Sequence, residues 1–372
     1  EQRLLLGNVR LQLLERRRRE LMDDPIVAQC FSCRAIEHRH LVKEGRTKAD
    51  GGMCSFSSCR VASIVQAAMS VQHITPNPTD AKREFYTSFL DPRVVAWLRE
   101  KENKSSEGRT QLESLVRREC EGVFSMPLFT PEFCEALAQD VSDFEASGVR
   151  SRPNSMNSYG VVLADMGLTP LMSFIVDTIL FEVCHTLPSL RSEWSSFASE
   201  ATKNLTGTTR KSGDDANDAD VMIAGAFESA MDQLDTHHTF VVHYSAAHDR
   251  KLDMHSDDSE VTFNVNLRNG CSGSTLTFCG LPGTTVHRKH RPRDEERHEI
   301  GRAVFHLGAL RHGAAPIASG ERLNLIFWLR SSWLRQHVGG PPLRYFHPNE
   351  EAPDAICMSA THDPDYPGST SL

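Results

Sequence analysis

The chain has 372 residues, of which 39% are hydrophobic and 24% charged, and its 49 acidic and 41 basic side chains leave a formal net charge of -8. That length supports a sizeable buried core, in one large domain with an extension or in two domains, and the acidic balance argues against general affinity for nucleic acid. No stretch approaches the run of about 18 apolar residues that a membrane-spanning helix needs, and Glu1-Gln2-Arg3 lacks a secretory pattern, so an intracellular location, cytoplasmic or nuclear, is expected.

Residues Arg3 to Asp23 read as a helix with Leu4, Leu11, Leu14 and Leu21 near one stripe, and the Arg16-Arg17-Arg18-Arg19 run within it reads as a solvated face tempered by Glu15 and Glu20. Cys30, Cys33, Cys54 and Cys59 follow, with His38 and His40 between them. Four thiolates can hold zinc, but the second pair is spaced more widely than a usual zinc knuckle; buried thiols are preferred and the zinc reading stays open. The ten cysteines of the chain are scattered, and most are expected to be reduced. Thr79 to Arg118 look helical, divided by a polar loop from Lys101 to Gly108, so residues 1–122 form a mainly helical N-terminal region.

Thr130-Pro131-Glu132 opens the next helix, with Thr as N-cap and Pro at the first turn; Phe133, Leu137, Val141 and Phe144 are its apolar stripe and Gly148 its end. Thr169-Pro170 repeats the device for a helix to about Thr186, carrying Phe174, Ile175, Ile179 and Val183. Between them Arg152 to Tyr159 is rich in hydrogen-bonding side chains, and Arg152, Asn154, Asn157 and Tyr159 are candidates for a substrate mouth as much as for an ordinary Asn-rich turn. Residues 199–220 are polar and without periodicity, as in a mobile insertion, and a short helix is expected at Val221 to Leu234.

From Thr239 the pattern changes to strands, at Thr239–Tyr244, Val261–Leu267, Ser274–Phe278, Ala303–Leu307, Leu310–Ala314 and Arg322–Leu329, with Gly, Ser and Asn turns between them. Thr284 to Glu299 reads as a long charged loop. The expected class is α+β: a double-stranded β-helix, or jelly roll, with supporting helices and a helical N-terminal region.

His255 and Asp257 stand two apart on an extended segment, so their side chains share one side and can grip one ion. A second His from a distant strand completes a two-His, one-carboxylate face with open positions, the pattern of non-haem Fe(II) oxygenases. His312 is preferred over His306 for that place because it precedes Arg322 by ten residues across a turn, and Gly313 beside it allows close approach. Asp258 should point to the opposite face, and Asp253 precedes the His where the carboxylate should follow it. On the last strand, alternation puts Arg322, Asn324, Ile326 and Trp328 on one face, with Arg322 and Trp328 toward the cavity; Arg322 is suited to a carboxylate. Thr262, Asn264 and Asn266 make the polar face of their strand, and Asn266 is a plausible contact.

These residues, with Phe129 to Cys134, Arg152 to Gly160, Phe240 to Tyr244 and Ser319 to Ser332, resemble the 2-oxoglutarate- and Fe(II)-dependent oxygenases of the prolyl 4-hydroxylase-like branch. The resemblance implies an oxygenase domain at 123–338, followed by a tail at 339–372, with His255, Asp257 and His312 as iron ligands. It also implies that Arg322 anchors 2-oxoglutarate and that Tyr244 reaches it. Ascorbate is a candidate reductant, O2 the oxidant, and a protein side chain the expected substrate, hydroxylated with succinate and CO2 as co-products. Two readings compete: the same chemistry on a nucleic-acid base or small molecule, for which His287, Arg288, Lys289, His290, Arg291 and Arg293 are the one candidate platform, or a non-catalytic binding module on this fold.

Overall fold

The computed structural model describes residues 86–102, 107–146, 148–149, 151–187, 190–193, 231–282, 284–292, 298–337 and 349–358. The helix expected at Arg3 to Asp23, the cysteines at 30, 33, 54 and 59, the insertion at 199–220 and most of the helix expected at Val221 to Leu234 lie outside them.

Two helices, α1 (Pro92–Glu102) and α2 (Glu107–Leu115), lead into a hairpin of β1 (Arg117–Cys120) and β2 (Val123–Pro127). The point between 122 and 123 therefore falls inside a hairpin. Tyr86, Phe89, Trp97 and Leu98 pack into the same apolar core as the helices that follow. Helix α3 (Pro131–Ala146) starts as its sequence predicts: the Thr130 hydroxyl accepts from the Phe133 N–H at 3.2 Å, and Phe133, Leu137, Val141 and Phe144 are buried. Beyond β3 (Gly160–Val162), α4 (Thr169–Ile175) and α5 (Phe181–Thr186) are joined by a π turn at Val176–Leu180. Thr169 is not the cap expected of it, since Leu168 holds that position and no side chain bonds the free N–H groups. Among the described residues no helix is long and apolar enough to cross a membrane.

The remaining strands are β4 (Thr236–Ser245), β5 (Leu252–His255), β6 (Val261–Gly273), β7 (Leu276–Cys279), β8 (His290–Arg291), β9 (Arg302–Leu307), β10 (His312–Ala314) and β11 (Ile317–Arg330). They form a seven-stranded sheet in the order β1-β2-β9-β6-β11-β4-β3 and a four-stranded sheet in the order β5-β10-β7-β8, antiparallel throughout. Because the chain crosses repeatedly between the sheets, the pair is a double-sheet jelly roll. Strand periodicity explains which face goes where: Leu323, Leu325, Phe327 and Leu329 join Val261, Phe263 and Val265 in the core shared with the helices, while Asn324, Ile326 and Trp328 face the second sheet. A short helix, α6 (Ser332–His337), ends this part.

Two expectations change. His312 and Arg322 are not on neighbouring strands of one sheet: β10 pairs with β5 and β7, whereas β11 pairs with β4 and β6. The turn between them is a corner that carries the chain across the sandwich, so the two residues come from opposite walls. The loop expected at 284–299 contains β8, and it is covered by residues 349–358 through Glu351 N to Thr285 O (2.7 Å), Asp354 N to Arg288 O (3.1 Å) and a Cys279–Cys357 disulfide. Those two cysteines depart from the expectation of reduced thiols, whereas Cys134 and Cys271 are free.

Candidate metal centre

His255 ends β5 and His312 begins β10, and the two are direct partners in the antiparallel register, with ring centroids 4.4 Å apart. Asp257 follows β5 with its N–H on the Gly308 carbonyl at 2.7 Å, which turns its carboxylate back toward the two rings. One donor atom from each of His255, Asp257 and His312 lies within 4.8 Å of the others, and all three residues are buried. Among the described residues this is the only such group.

Hydrogen bonding fixes the tautomers. His255 Nδ1 is 2.8 Å from the Asp253 carbonyl oxygen and His312 Nδ1 is 2.9 Å from that of Leu310. Since a carbonyl can only accept, each Nδ1 carries a hydrogen, and in the neutral ring each Nε2 presents a lone pair. Those lone pairs point at Asp257, with His255 Nε2 at 3.3 Å from Oδ1 and His312 Nε2 at 3.5 Å from Oδ2. Three electron-rich donors thus converge without a hydrogen between them, which fits a divalent cation held by neutral imidazoles and a carboxylate. Burial pushes the His312 imidazole down to about 3, against the pull of Asp257, so it is neutral at physiological pH. Burial acts to raise the Asp257 carboxyl, but His312 and His255 outweigh it and hold the group well below the usual carboxylate range.

The neighbouring candidates are otherwise engaged. His306 on β9 lies tilted against His312 with ring centroids 4.4 Å apart and Nδ1 on the Leu307 carbonyl at 2.7 Å, and it is outside the cluster of donors. Asp258 pairs with Arg330 and Arg335, each at 2.7 Å, and Asp253 with Lys251 at 2.7 Å. Gly313 has a reason that the sequence did not give: a Cβ there would stand 2.8 Å from the Leu252 carbonyl oxygen, inside the β5–β10 pairing. Asp257 also has a partner from the other wall. Thr262 on β6 donates from Oγ1 to Asp257 Oδ2 at 2.6 Å, and Ser259 Oγ lies 2.8 Å from Thr262 Oγ1.

A cavity of about 130 Å³ opens beside the triad. Tyr244, Thr262, Asn264 and Asn324 give it a polar wall; Phe240, Ile326 and Trp328 give it an apolar one. Burial raises the Tyr244 phenol to about 12, so it stays protonated. Of the residues proposed for the mouth, Asn154, Asn157 and Trp328 line this cavity. Arg152 and Tyr159 do not: Arg152 holds the Asn157 and Ser155 carbonyls at 3.2 and 2.7 Å, and Tyr159 stacks outside on His248 at 4.3 Å. Asp249 was missed by sequence reading. Its Oδ2 accepts from the N–H groups of Ser158 (2.7 Å) and Tyr159 (3.2 Å) and the Asn157 amide (3.4 Å), which also reaches the Tyr244 hydroxyl at 3.4 Å.

Arg322 sits on the inner side of β11 opposite Tyr244, yet it stands behind the cavity wall and not in it. Its Nε donates to Asn324 Oδ1 at 2.9 Å, one terminal nitrogen to the Ser274 carbonyl, and the other to His298 Nδ1 at 2.8 Å. His298 Nε2 in turn donates to the Asn264 carbonyl at 3.3 Å, which leaves Nδ1 as the acceptor. Asn266 also lies behind the wall: its amide donates to the His298 carbonyl at 2.6 Å. It therefore supports His298, the residue on Arg322, and does not line the cavity; Asn264 does. His298, in a loop without periodicity, had no sequence signal.

Residues 80–189 match the family model of the OGFOD2-like domain, a segment that ends before the first of the three clustered donors. The chain is 30% identical over 265 residues to the human protein named 2-oxoglutarate and iron-dependent oxygenase domain-containing protein 2, covering 69% of this chain and 64% of that protein. Its zebrafish namesake is 32% identical over 254 residues, covering 68% and 62%. The chain thus spans a little under two thirds of the length of these relatives. A prolyl hydroxylase from Trichoplax adhaerens, solved with a hypoxia inducible factor peptide fragment, aligns with a TM-score of 0.36 and 15% identity over 64% of this chain and 94% of that one.

Proposed function

We propose, from the similarity to 2-oxoglutarate and iron-dependent oxygenase domain proteins, that the chain is an Fe(II)- and 2-oxoglutarate-dependent dioxygenase that hydroxylates a protein side chain, yielding succinate and CO2. The observation that carries the reading is the convergence of two Nε2 lone pairs and one ionised carboxylate on one point beside a polar cavity. Fe(II) held there with 2-oxoglutarate would supply the oxidising chemistry, oxidative decarboxylation of the co-substrate coupled to hydroxylation by O2.

The chain's own part is positioning and exclusion of water. His255, Asp257 and His312 would hold the metal. Tyr244, as a neutral phenol, and the amides of Asn264 and Asn324 offer hydrogen bonds along the wall on which the co-substrate would lie. The Arg322 guanidinium sits behind Asn324 and supplies the positive charge that a dicarboxylate needs at its far end; engaging it directly requires exchange of the Ser274 or His298 contact. Phe240 and Trp328 make the apolar side of the approach.

A protein is favoured over a nucleic acid as substrate because three cations of the candidate basic platform are paired with carboxylates. Arg288 pairs with Glu350 at 2.8 Å, Lys289 with Glu351 at 3.6 Å and Arg291 with Glu121 at 3.3 Å, and none of the three lines the cavity. The test is anaerobic titration of Fe(II) and then 2-oxoglutarate, followed by succinate assay and mass spectrometry of cell extract incubated with both and ascorbate. One metal bound per chain, succinate formation and peptides heavier by one oxygen are expected. No metal or co-substrate binding would overturn the reading, and oxygen added only to nucleic acid would replace the substrate.

A further inference from the structure

Asp257 could offer a metal either of its oxygens or both, and the structure distinguishes the two. Oδ2 accepts the Thr262 hydroxyl at 2.6 Å, a length typical of a charge-assisted O–H···O⁻ bond. Oδ1 faces His255 Nε2 at 3.3 Å. His312 Nε2 stands 3.5 Å from Oδ2 but, with its hydrogen on Nδ1, donates nothing to it. An ionised carboxylate only accepts, and a hydroxyl has one hydrogen, so Thr262 must give its proton to Asp257 and take one from Ser259, 2.8 Å away. The chain of donation runs from Ser259 to Thr262 to Oδ2. All three side chains are buried, and water does not compete for the bond.

The hydroxyl comes from the opposite wall. Thr262 lies on β6 of the seven-stranded sheet, in register with His306 on one side and Trp328 on the other, while His255 and His312 belong to the four-stranded sheet. Ser259 can reach it because the neighbouring residue is Gly308; any side chain there would run into the Ser259 backbone and hydroxyl. The same Gly308 carbonyl holds the Asp257 N–H at 2.7 Å. Backbone and side chain of Asp257 are thus fixed from one spot.

We propose that Thr262, oriented by Ser259, is the positioning residue that limits Asp257 to one ligating oxygen, Oδ1, and so preserves an open metal position for co-substrate or O2. The inference rests on the metal reading above. A carboxylate free at both oxygens can chelate, and a chelating Asp257 would take up the space the reaction needs.

Co(II), which is stable in air and reports coordination number by visible absorption, is the probe. Wild type should bind one Co(II) and Asp257→Ala should not; failure there removes the metal reading itself and is seen before Thr262 is touched. Given that binding, Thr262→Val should weaken Co(II) about 10- to 100-fold, the usual effect of removing a partner of a ligand, and shift the visible bands toward a higher coordination number. Thr262→Ser keeps the hydroxyl and should restore both affinity and spectrum, and Ser259→Ala should fall between. Wild-type affinity and spectrum in Thr262→Val would overturn the proposal. Equal losses in Thr262→Val and Thr262→Ser would also overturn it, as would a lowered apo melting temperature in Thr262→Val with Co(II) binding intact.

Discussion

The two ends of the cavity are held in different ways. At the metal end the rings are set by their own neighbours: His255 Nδ1 bonds the carbonyl two residues before it, and His312 Nδ1 does the same. At the other end, Arg322 is held by Ser274 and His298, 48 and 24 residues away, and the Asn157 amide reaches Tyr244 across 87 residues. Local contacts survive small movements of the fold, whereas distant ones depend on the whole sandwich closing correctly. The two imidazoles should therefore behave as a preset pair and the anchor end as one sensitive to changes elsewhere.

The sharpest break would come at the metal end. His312→Ala should lower Fe(II) affinity by more than about 100-fold, beyond the effect of losing an outer partner, while His306→Ala retains stoichiometric metal in the same anaerobic titration. The reverse result would move the site to the seven-stranded sheet. Next in size, Arg322→Ala should weaken 2-oxoglutarate about 10- to 100-fold, as expected for one charge-assisted contact of about 1.5–3 kcal/mol, with Fe(II) affinity unchanged. Arg322→Lys should not rescue it, because an ammonium cannot reproduce the fork that now spans Asn324, Ser274 and His298. Co-substrate titration at saturating metal decides both.

A smaller effect is expected at Asp249. Its Ala variant removes the acceptor for the Ser158 and Tyr159 N–H groups and should cost about 1–3 kcal/mol in denaturant melts. Hydrogen exchange should quicken at those two amides, and metal affinity should hold. If metal affinity fell as well, the two ends would not be independent.

The metal-free protein should also respond to acid, an effect on stability and not on ligand affinity. Burial pushes His312 from its ordinary 6.5 down to about 3, so the unfolded chain takes up the proton first as pH falls. Its effect is nil above pH 6.5 and destabilising from there down to about 3. Asp257, depressed from 3.8, contributes stability that is intact above that value and is lost only below it. Thermal melts should therefore decline from pH 6.5 toward 4, and His312→Asn should decline less steeply. A parallel fall in the variant would assign the acid sensitivity to other groups.

The same contrast explains what could be read from the sequence. A His and an Asp two apart need only the alternation of an extended chain to share a side, and the second face of β11 follows from the same rule. These were legible. The four residues of β5 and two of β8 are too short to show a period, and the corner between His312 and Arg322 looks like a hairpin turn until the sheets are paired. Alternation gives a side and no depth, so Asn266 reads as a cavity contact where the structure puts its amide on the His298 carbonyl. Asp249 in Ala246-Ala247-His248-Asp249 carries no signal until Ser158 and Tyr159 stand opposite it.

The Cys279–Cys357 bond has a topological consequence. It closes the chain into a covalent ring across a separation of 78 residues, and His312 and Arg322 lie on that ring while His255, Asp257 and Thr262 lie on the arm before it. A metal gripped by all three donors would then act as a clasp between arm and ring. Closing the ring alone withdraws unfolded conformations worth on the order of 4 kcal/mol in the chain-entropy view. The clasp adds to a chain already shortened, so metal and oxidant both resist the same unravelling. A sample handled in strong reductant is, in its unfolded state, a longer and freer polymer than one that was not.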